Sequence, residues 1–182
     1  MDTTRKELFL TFDDGPIPEV TPWVLQMLRA YNAKATFFCI GQNLVEHALI
    51  HKMILKEGHT IGNHTYDHLN GWRTPNKAYF RSVLKCREIT GSDLFRPPYG
   101  RIKRDQANVL LSRFRIVMWD VLSGDFDLKA SKAKCVKNVV DNASRGSIIV
   151  FHDSLKARER MQYALPRVLE HFSSLGYAFR AL

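Results

Sequence analysis

The sequence predicts an α/β domain built on a parallel sheet, and three observations carry that prediction. Short apolar runs alternate with longer amphipathic ones throughout the chain. The short runs are β-branched or aromatic and are bounded by Gly, Pro, Asn or Asp, as strands are. No low-complexity linker or change in composition divides the 182 residues, so 1–182 reads as a single domain. Strands of buried character that alternate with helices imply a parallel sheet covered by those helices. Seven strand–helix steps in this length leave fewer residues than an eight-unit barrel usually takes. The expectation is therefore a distorted (β/α) barrel with about seven parallel strands, with an open doubly wound sheet as the alternative. In both architectures reactive groups collect at the C-terminal ends of the strands.

The expected strands are 8–12, 35–40, 60–62, 94–96, 116–120, 147–151 and 177–181. A first helix opens at Thr21-Pro22, read as N-cap and first-turn proline, with Val24, Leu25, Leu28 and Tyr31 along one side. Further helices are expected near 44–56, 76–90, 104–112, 132–143 and 160–174.

Composition narrows the function less than the pattern narrows the fold. Hydrophobic residues at 45% and charged residues at 25% exclude a disordered or fibrous chain. Lys and Arg total 27 against 18 Asp and Glu, a formal charge of +9 that suits anionic partners without choosing one. No apolar run approaches the roughly 18 residues of a membrane span. The opening Met-Asp-Thr-Thr-Arg-Lys-Glu has no apolar signal core, so the expectation is a cytoplasmic protein or an exported one whose signal has been removed. Cys39, Cys86 and Cys135 are widely spaced and form no Cys-x-x-Cys, which reads as buried reduced thiols.

The chemistry sits at strand ends. The first strand runs into Asp13-Asp14-Gly15-Pro16. Two acids at a strand broken by Gly-Pro can both turn toward one site, or can form a solvated turn. His64-Thr65-Tyr66-Asp67-His68 follows the third strand. On a helical turn, imidazoles four residues apart would share one face, with Cβ atoms about 6 Å apart. Alone the pair is a weak signal; with a carboxylate from another strand end it becomes a three-ligand metal set with an open position. Arg96-Pro97-Pro98-Tyr99-Gly100 is a rigid turn entered by an arginine able to grip a carboxylate, or a plain structural turn. His152 follows a buried-type strand and suits acid–base work, with Asp125 placed to orient its ring; a structural histidine is the alternative. His47, His51 and His171 read as surface or packing residues, and His59 as structural.

Together these stretches resemble the motif series of the polysaccharide deacetylase family, carbohydrate esterase family 4, in order from Leu8 to Asp153. The resemblance implies a metal-dependent hydrolase that removes acetyl groups from N-acetylglucosamine-type units of a peptidoglycan- or chitin-like glycan. It makes Asp13 the general base, Arg96 its orienting partner, His152 the general acid and Asp125 the partner of His152. It makes Asp14, His64 and His68 the metal ligands, with Thr65 bracing their loop. The ion it implies is zinc, with cobalt or nickel as substitutes. Tyr99, through its backbone N–H, and Pro97, Trp119, Phe126 and Val150 are implied to form the oxyanion and substrate pocket. Phe126 stands where the family usually has tryptophan and Val150 where it usually has leucine. These departures keep an O-acetyl esterase or other small-amide hydrolase open as the alternative. The implied partner is an acetylated amino-sugar polymer or oligomer, with no nucleic acid and no membrane span expected. A basic module binding an anionic polymer through Arg101-Ile102-Lys103-Arg104 and Lys156–Arg160 is the reading from another class.

Overall fold

A computed structural model describes residues 4–182. The first three residues, part of the stretch read above for an export signal, lie outside the described residues. Along the chain run β1 (Glu7–Asp13), α1 (Thr21–Ala30), β2 (Ala35–Cys39), α2 (Gly41–Glu46), α3 (Ala48–Lys56), β3 (Thr60–Asn63) and α4 (Asn76–Thr90). There follow β4 (Leu94–Phe95), α5 (Arg104–Leu110), β5 (Arg115–Ile116), β6 (Val121–Leu122), α6 (Lys132–Val140), β7 (Ile148–His152), α7 (Arg158–Ser174) and β8 (Ala178–Phe179).

Among the described residues every strand pairing is parallel, in the order β5-β4-β3-β2-β1-β7-β6, with β8 added at the start of β1. Alternation along β1 sorts its side chains. Leu8, Leu10 and Phe12 are fully buried and pack with Val24 and Leu25 of α1 and Leu165 and Val168 of α7. Thr11 and Asp13 take the opposite face, as the period of two requires. Phe12 continues the outer layer by stacking on Phe37 at 5.1 Å and Phe151 at 6.0 Å. Burying side chains of this size stabilises the layer by roughly 1.5–3 kcal/mol each.

The sheet curls, and one side chain shows by how much. The Arg96 guanidinium, just past β4, donates to Thr11 Oγ1 of β1 at 2.7 Å and to the carbonyl of Val117 at 3.2 Å. In a flat sheet β1 and β4 would lie three strand spacings apart, about 14 Å, beyond an arginine's reach. Curling makes a distorted barrel, left unpaired between β5 and β6, the two ends of the strand path.

Three elements differ from expectation. The helix expected over 44–56 is two helices, broken at His47 with φ −118° and ψ 49°. The first of them starts earlier, at Gly41, because the Gly41 and Gln42 amides donate to the carbonyls of Thr65 and Tyr66. The strand expected over 116–120 is two short strands, because the carbonyls of Val117 and Met118 turn inward to Arg96 instead of continuing a ladder. Thr21 is the first residue of α1 rather than its cap; its hydroxyl accepts from Ile17 N and donates to Asp153 at 2.6 Å. The cysteines are free and buried. His59 is structural, accepting the Ala35 amide through Nδ1. No helix among the described residues is long and apolar enough to cross a membrane.

Candidate active site

Register puts the strand ends at one level: Asp13 lies opposite His152 on β7 and Phe38 on β2, and Asn63 lies opposite Phe95 on β4. The ladders continue one step past the strands, His64 N to Cys39 O and Arg96 N to Asn63 O, both 3.0 Å. His64 and Arg96 therefore leave the sheet in fixed directions.

Asp14 departs from β1 with φ +83°, in the left-handed region that a residue with a Cβ enters at a cost. Asn43 Nδ2 holds this conformation by donating to the Asp14 carbonyl at 2.8 Å. The next residue has to be glycine: a Cβ on Gly15 would lie 2.0 Å from the Asp153 carboxyl. So turned, Asp14 Oδ1 lies 3.7 Å from His64 Nε2 and 3.2 Å from His68 Nε2.

The two histidines do not sit on a helical turn. An irregular loop joins them, with Thr65 at φ +62° and His68 at φ +54°, and brings the rings to 5.2 Å. Thr65 fixes that loop at both ends, its amide donating to Asn63 Oδ1 and its hydroxyl accepting from Leu69 N. His64 Nδ1 lies 2.8 Å from the Arg96 carbonyl. A carbonyl only accepts, so Nδ1 carries the proton and the Nε2 lone pair faces the space it shares with Asp14 and His68. Burial, opposed by the Asp13 and Asp14 charges, lowers the His64 pKa to about 4. Burial works against the Asp14 carboxylate too, but the three histidines around it draw its pKa down to about 2. The three ligand atoms lie within 4.8 Å of one another, and a mixed nitrogen–oxygen set of this spacing could hold a metal ion.

Arg96 joins both halves of the site. Its side chain is fully buried and donates to Asp13 Oδ1 at 2.8 Å, while its carbonyl accepts from His64 Nδ1. Removing either member of such a buried pair would strand a charge, at about 3–5 kcal/mol.

Across the cleft, Asp125 is wholly buried and accepts twice from His152, from the backbone amide and from ring Nδ1, each at 2.8 Å. Burial would lower the His152 pKa; the hydrogen bond and charge of Asp125, with Asp13 and Asp14 beyond, raise it to about 9.

Asp13, Asp14, His64, His68 and His152 line one cleft of about 750 Å³, together with Tyr99, Trp119, Phe126 and Val150. Tyr99 lies 4.6 Å from the His68 ring and Phe126 5.1 Å from that of His152. Pro97 is buried and absent from the cleft wall; its carbonyl accepts from Gly100 and closes the turn that carries Tyr99. Sequence reasoning missed Asn43, Arg160 and Asp153. Arg160 Nε donates to the Asp125 carbonyl at 2.7 Å, so part of the basic cluster read as a polymer surface faces inward. Asp153 accepts from Gly15 N at 3.1 Å and Thr21 Oγ1 at 2.6 Å, and its own amide donates to the Asp13 carbonyl. The only signal for Asp153 was Gly15, whose missing Cβ leaves the space that the carboxyl fills.

Comparison with known proteins agrees with this geometry. A family model described as Polysaccharide deacetylase matches residues 1–112. A peptidoglycan-N-acetylglucosamine deacetylase of Bacillus cereus is 38% identical over 157 residues, which is 82% of this chain; the chain spans 57% of that relative's length. A chitooligosaccharide deacetylase of Azorhizobium caulinodans is 38% identical over 197 residues, covering 98% of this chain and 93% of that protein. The crystal structure of a peptidoglycan N-acetylglucosamine deacetylase in complex with 4-naphthalen-1-yl-N-oxidanyl-benzamide superposes with a TM-score of 0.93 at 34% identity, covering 100% of this chain and 88% of that one.

Proposed function

Because the chain belongs to the polysaccharide deacetylase family, we propose that it is a metal-dependent hydrolase releasing acetate from N-acetylglucosamine-type units of a peptidoglycan- or chitin-like glycan. The observation that carries this reading is the cleft itself. Within one cavity, a metal-type triad faces a carboxylate gripped by arginine and an imidazole that carries a proton.

Asp14, His64 and His68 would hold the ion, for which zinc suits two imidazoles and a carboxylate, with cobalt or nickel as substitutes. Such an ion polarises an acyl oxygen and makes a water more acidic. The rest falls to the chain's own groups. Asp13, held in orientation by Arg96, takes the proton of the attacking water. The Tyr99 N–H donates to the developing oxyanion, a kind of contact worth about 3 kcal/mol in other hydrolases. An amide nitrogen is a poor leaving group until protonated, and His152 supplies that proton. Asp125 keeps the imidazole charged and aimed. The products are acetate and a free amine. Trp119, Phe126 and Val150 then bound the space for the acetyl group and its sugar, with Pro97 acting only through the turn it closes.

The test is acetate release from N-acetylglucosamine oligomers, peptidoglycan and acetylated xylan, before and after chelation and on restoring zinc. Release from the N-acetylated substrates that stops on chelation and returns with zinc is expected. Release from xylan alone would transfer the site to ester hydrolysis, and a rate surviving complete removal of metal would refute the metal role.

A further inference from the structure

We propose that Arg73 and Arg101 form an anion-binding subsite on one wall of the cleft, taking a carboxylate or phosphate borne by the glycan beside the sugar being deacetylated. This rests on the deacetylase reading and adds to it the charge of the substrate. Both residues line the same cavity as the metal-type triad.

The wall that presents them is pre-organised. Residues Gly71–Arg73 form a 3-10 turn just beyond His68. Gly71 N donates to the Arg101 carbonyl at 3.2 Å, and Trp72 Nε1 to the Ile102 carbonyl at 3.1 Å. A Cβ on Gly71 would stand 2.5 Å from that Arg101 oxygen, so the two loops meet backbone to backbone. Buried Gln106 donates to the Gly71 carbonyl at 3.0 Å, and Lys103 Nζ to that of Thr74 at 2.9 Å. Little backbone ordering cost is left for a ligand to meet.

The two arginines on this wall are not neutralised within the chain. Among the described residues neither Arg73 nor Arg101 has a carboxylate partner, whereas Arg29, Arg87 and Arg180 pair with Glu57, Asp93 and Glu7. The Arg101 guanidinium stacks 5.0 Å from the Trp72 ring, a contact that leaves its N–H fork free. The acids in the cleft have other partners, Asp13 bonded to Arg96 and Asp14 grouped with the two histidines in the metal-type triad. Lys156 adds a further positive charge to the same cleft. A neutral oligosaccharide offers hydroxyls and amides, which need no full countercharge. Guanidiniums match the two oxygens of a carboxylate or phosphate in a forked, charge-assisted contact.

Matched tetrasaccharides decide the question. One is an N-acetylglucosamine homopolymer, one carries 3-O-lactyl carboxylates on alternate sugars, one is the methyl ester of the latter, and one carries phosphate instead. Dissociation constants are measured by calorimetry on the zinc-loaded protein, and kcat/KM from acetate release. At low salt the carboxylate or phosphate glycan is expected to bind at least about tenfold tighter than its neutral counterpart, an advantage that shrinks with added salt. In Arg73→Gln and Arg101→Gln that ratio is expected to collapse toward one, through KM more than kcat. Whichever anion shows the advantage identifies the group recognised. Equal binding of neutral and anionic glycans, or an advantage that survives in both variants, overturns the subsite. Absence of acetate from every substrate would instead overturn the deacetylase reading, while the binding ratios still decide the subsite.

Discussion

His64 and His152 are imidazoles at the C-terminal ends of strands in one sheet, lining one cleft, and their surroundings drive them in opposite directions. Both suffer burial, which disfavours the charged ring. His64 Nδ1 meets a backbone carbonyl and His152 Nδ1 meets a buried carboxylate, each at 2.8 Å. The first ring falls to about 4 and the second rises to about 9. A carbonyl is satisfied by the N–H of a neutral ring and leaves Nε2 as a ligand; a carboxylate stabilises the imidazolium and stores a proton. One atom behind each ring separates the proposed ligand from the proposed acid.

The largest expected effect comes from removing each ring in turn. His152→Ala is expected to lower kcat by about 10²–10⁴-fold while metal content stays constant. His64→Ala is expected to lose metal along with activity. Elemental analysis beside a rate assay checks both. A His152 variant that loses its metal, or a His64 variant that keeps it, breaks the distinction between the two rings.

Asp125→Asn sharpens it. Asn still accepts the His152 amide but offers no charge, so burial is then opposed only by the weaker influence of Asp13 and Asp14. Above its pKa His152 has no proton for the amine, so the rate falls with rising pH. The wild-type alkaline limb is expected near 9, and in the variant it is expected to shift to lower pH. An alkaline limb that stays in place would mean another group reports there.

The two sides of the cleft were not equally legible in the sequence. Asp13, His64, Arg96 and His152 could be placed at strand ends because each follows an apolar run, and parallel strands align their ends. The shape of the His64–His68 loop was not legible, because left-handed Thr65 and His68 depend on partners such as Asn63 and Leu69 rather than on spacing. The inward carbonyls at Val117 and Met118 are likewise answers to a distant group, the Arg96 guanidinium. Asn43 left no mark, and Asp153 only the glycine at position 15, because each acts on a turn far from it in the chain, 29 residues away for Asn43 and 138 for Asp153.

The smallest effect expected concerns Asp153, which stands next to His152 yet holds the turn of the opposite ligand, Asp14. Burial, aided by the Asp14 charge, raises its pKa from 3.8 to about 8 against the opposing donors Thr21 and Gly15. Burial thus favours the neutral carboxyl, and Asn keeps one of its two acceptors, an oxygen for Gly15 N–H, while its amide makes the Thr21 hydroxyl an acceptor instead of a donor. Asp153→Asn is expected to keep zinc affinity within about threefold. Asp153→Ala leaves Gly15 N–H buried without an acceptor, at about 1–3 kcal/mol, and is expected to weaken both stability and zinc binding. The sign of the pH dependence separates the cases further. A folded pKa raised above 3.8 gives a contribution complete below pH 3.8 and lost as pH climbs through 8. Asn never ionises, so its melting temperature is expected to gain on that of the wild type across that window. Should Asn fail as badly as Ala, Asp153 holds the turn as an anion, and its two donors outweigh its burial.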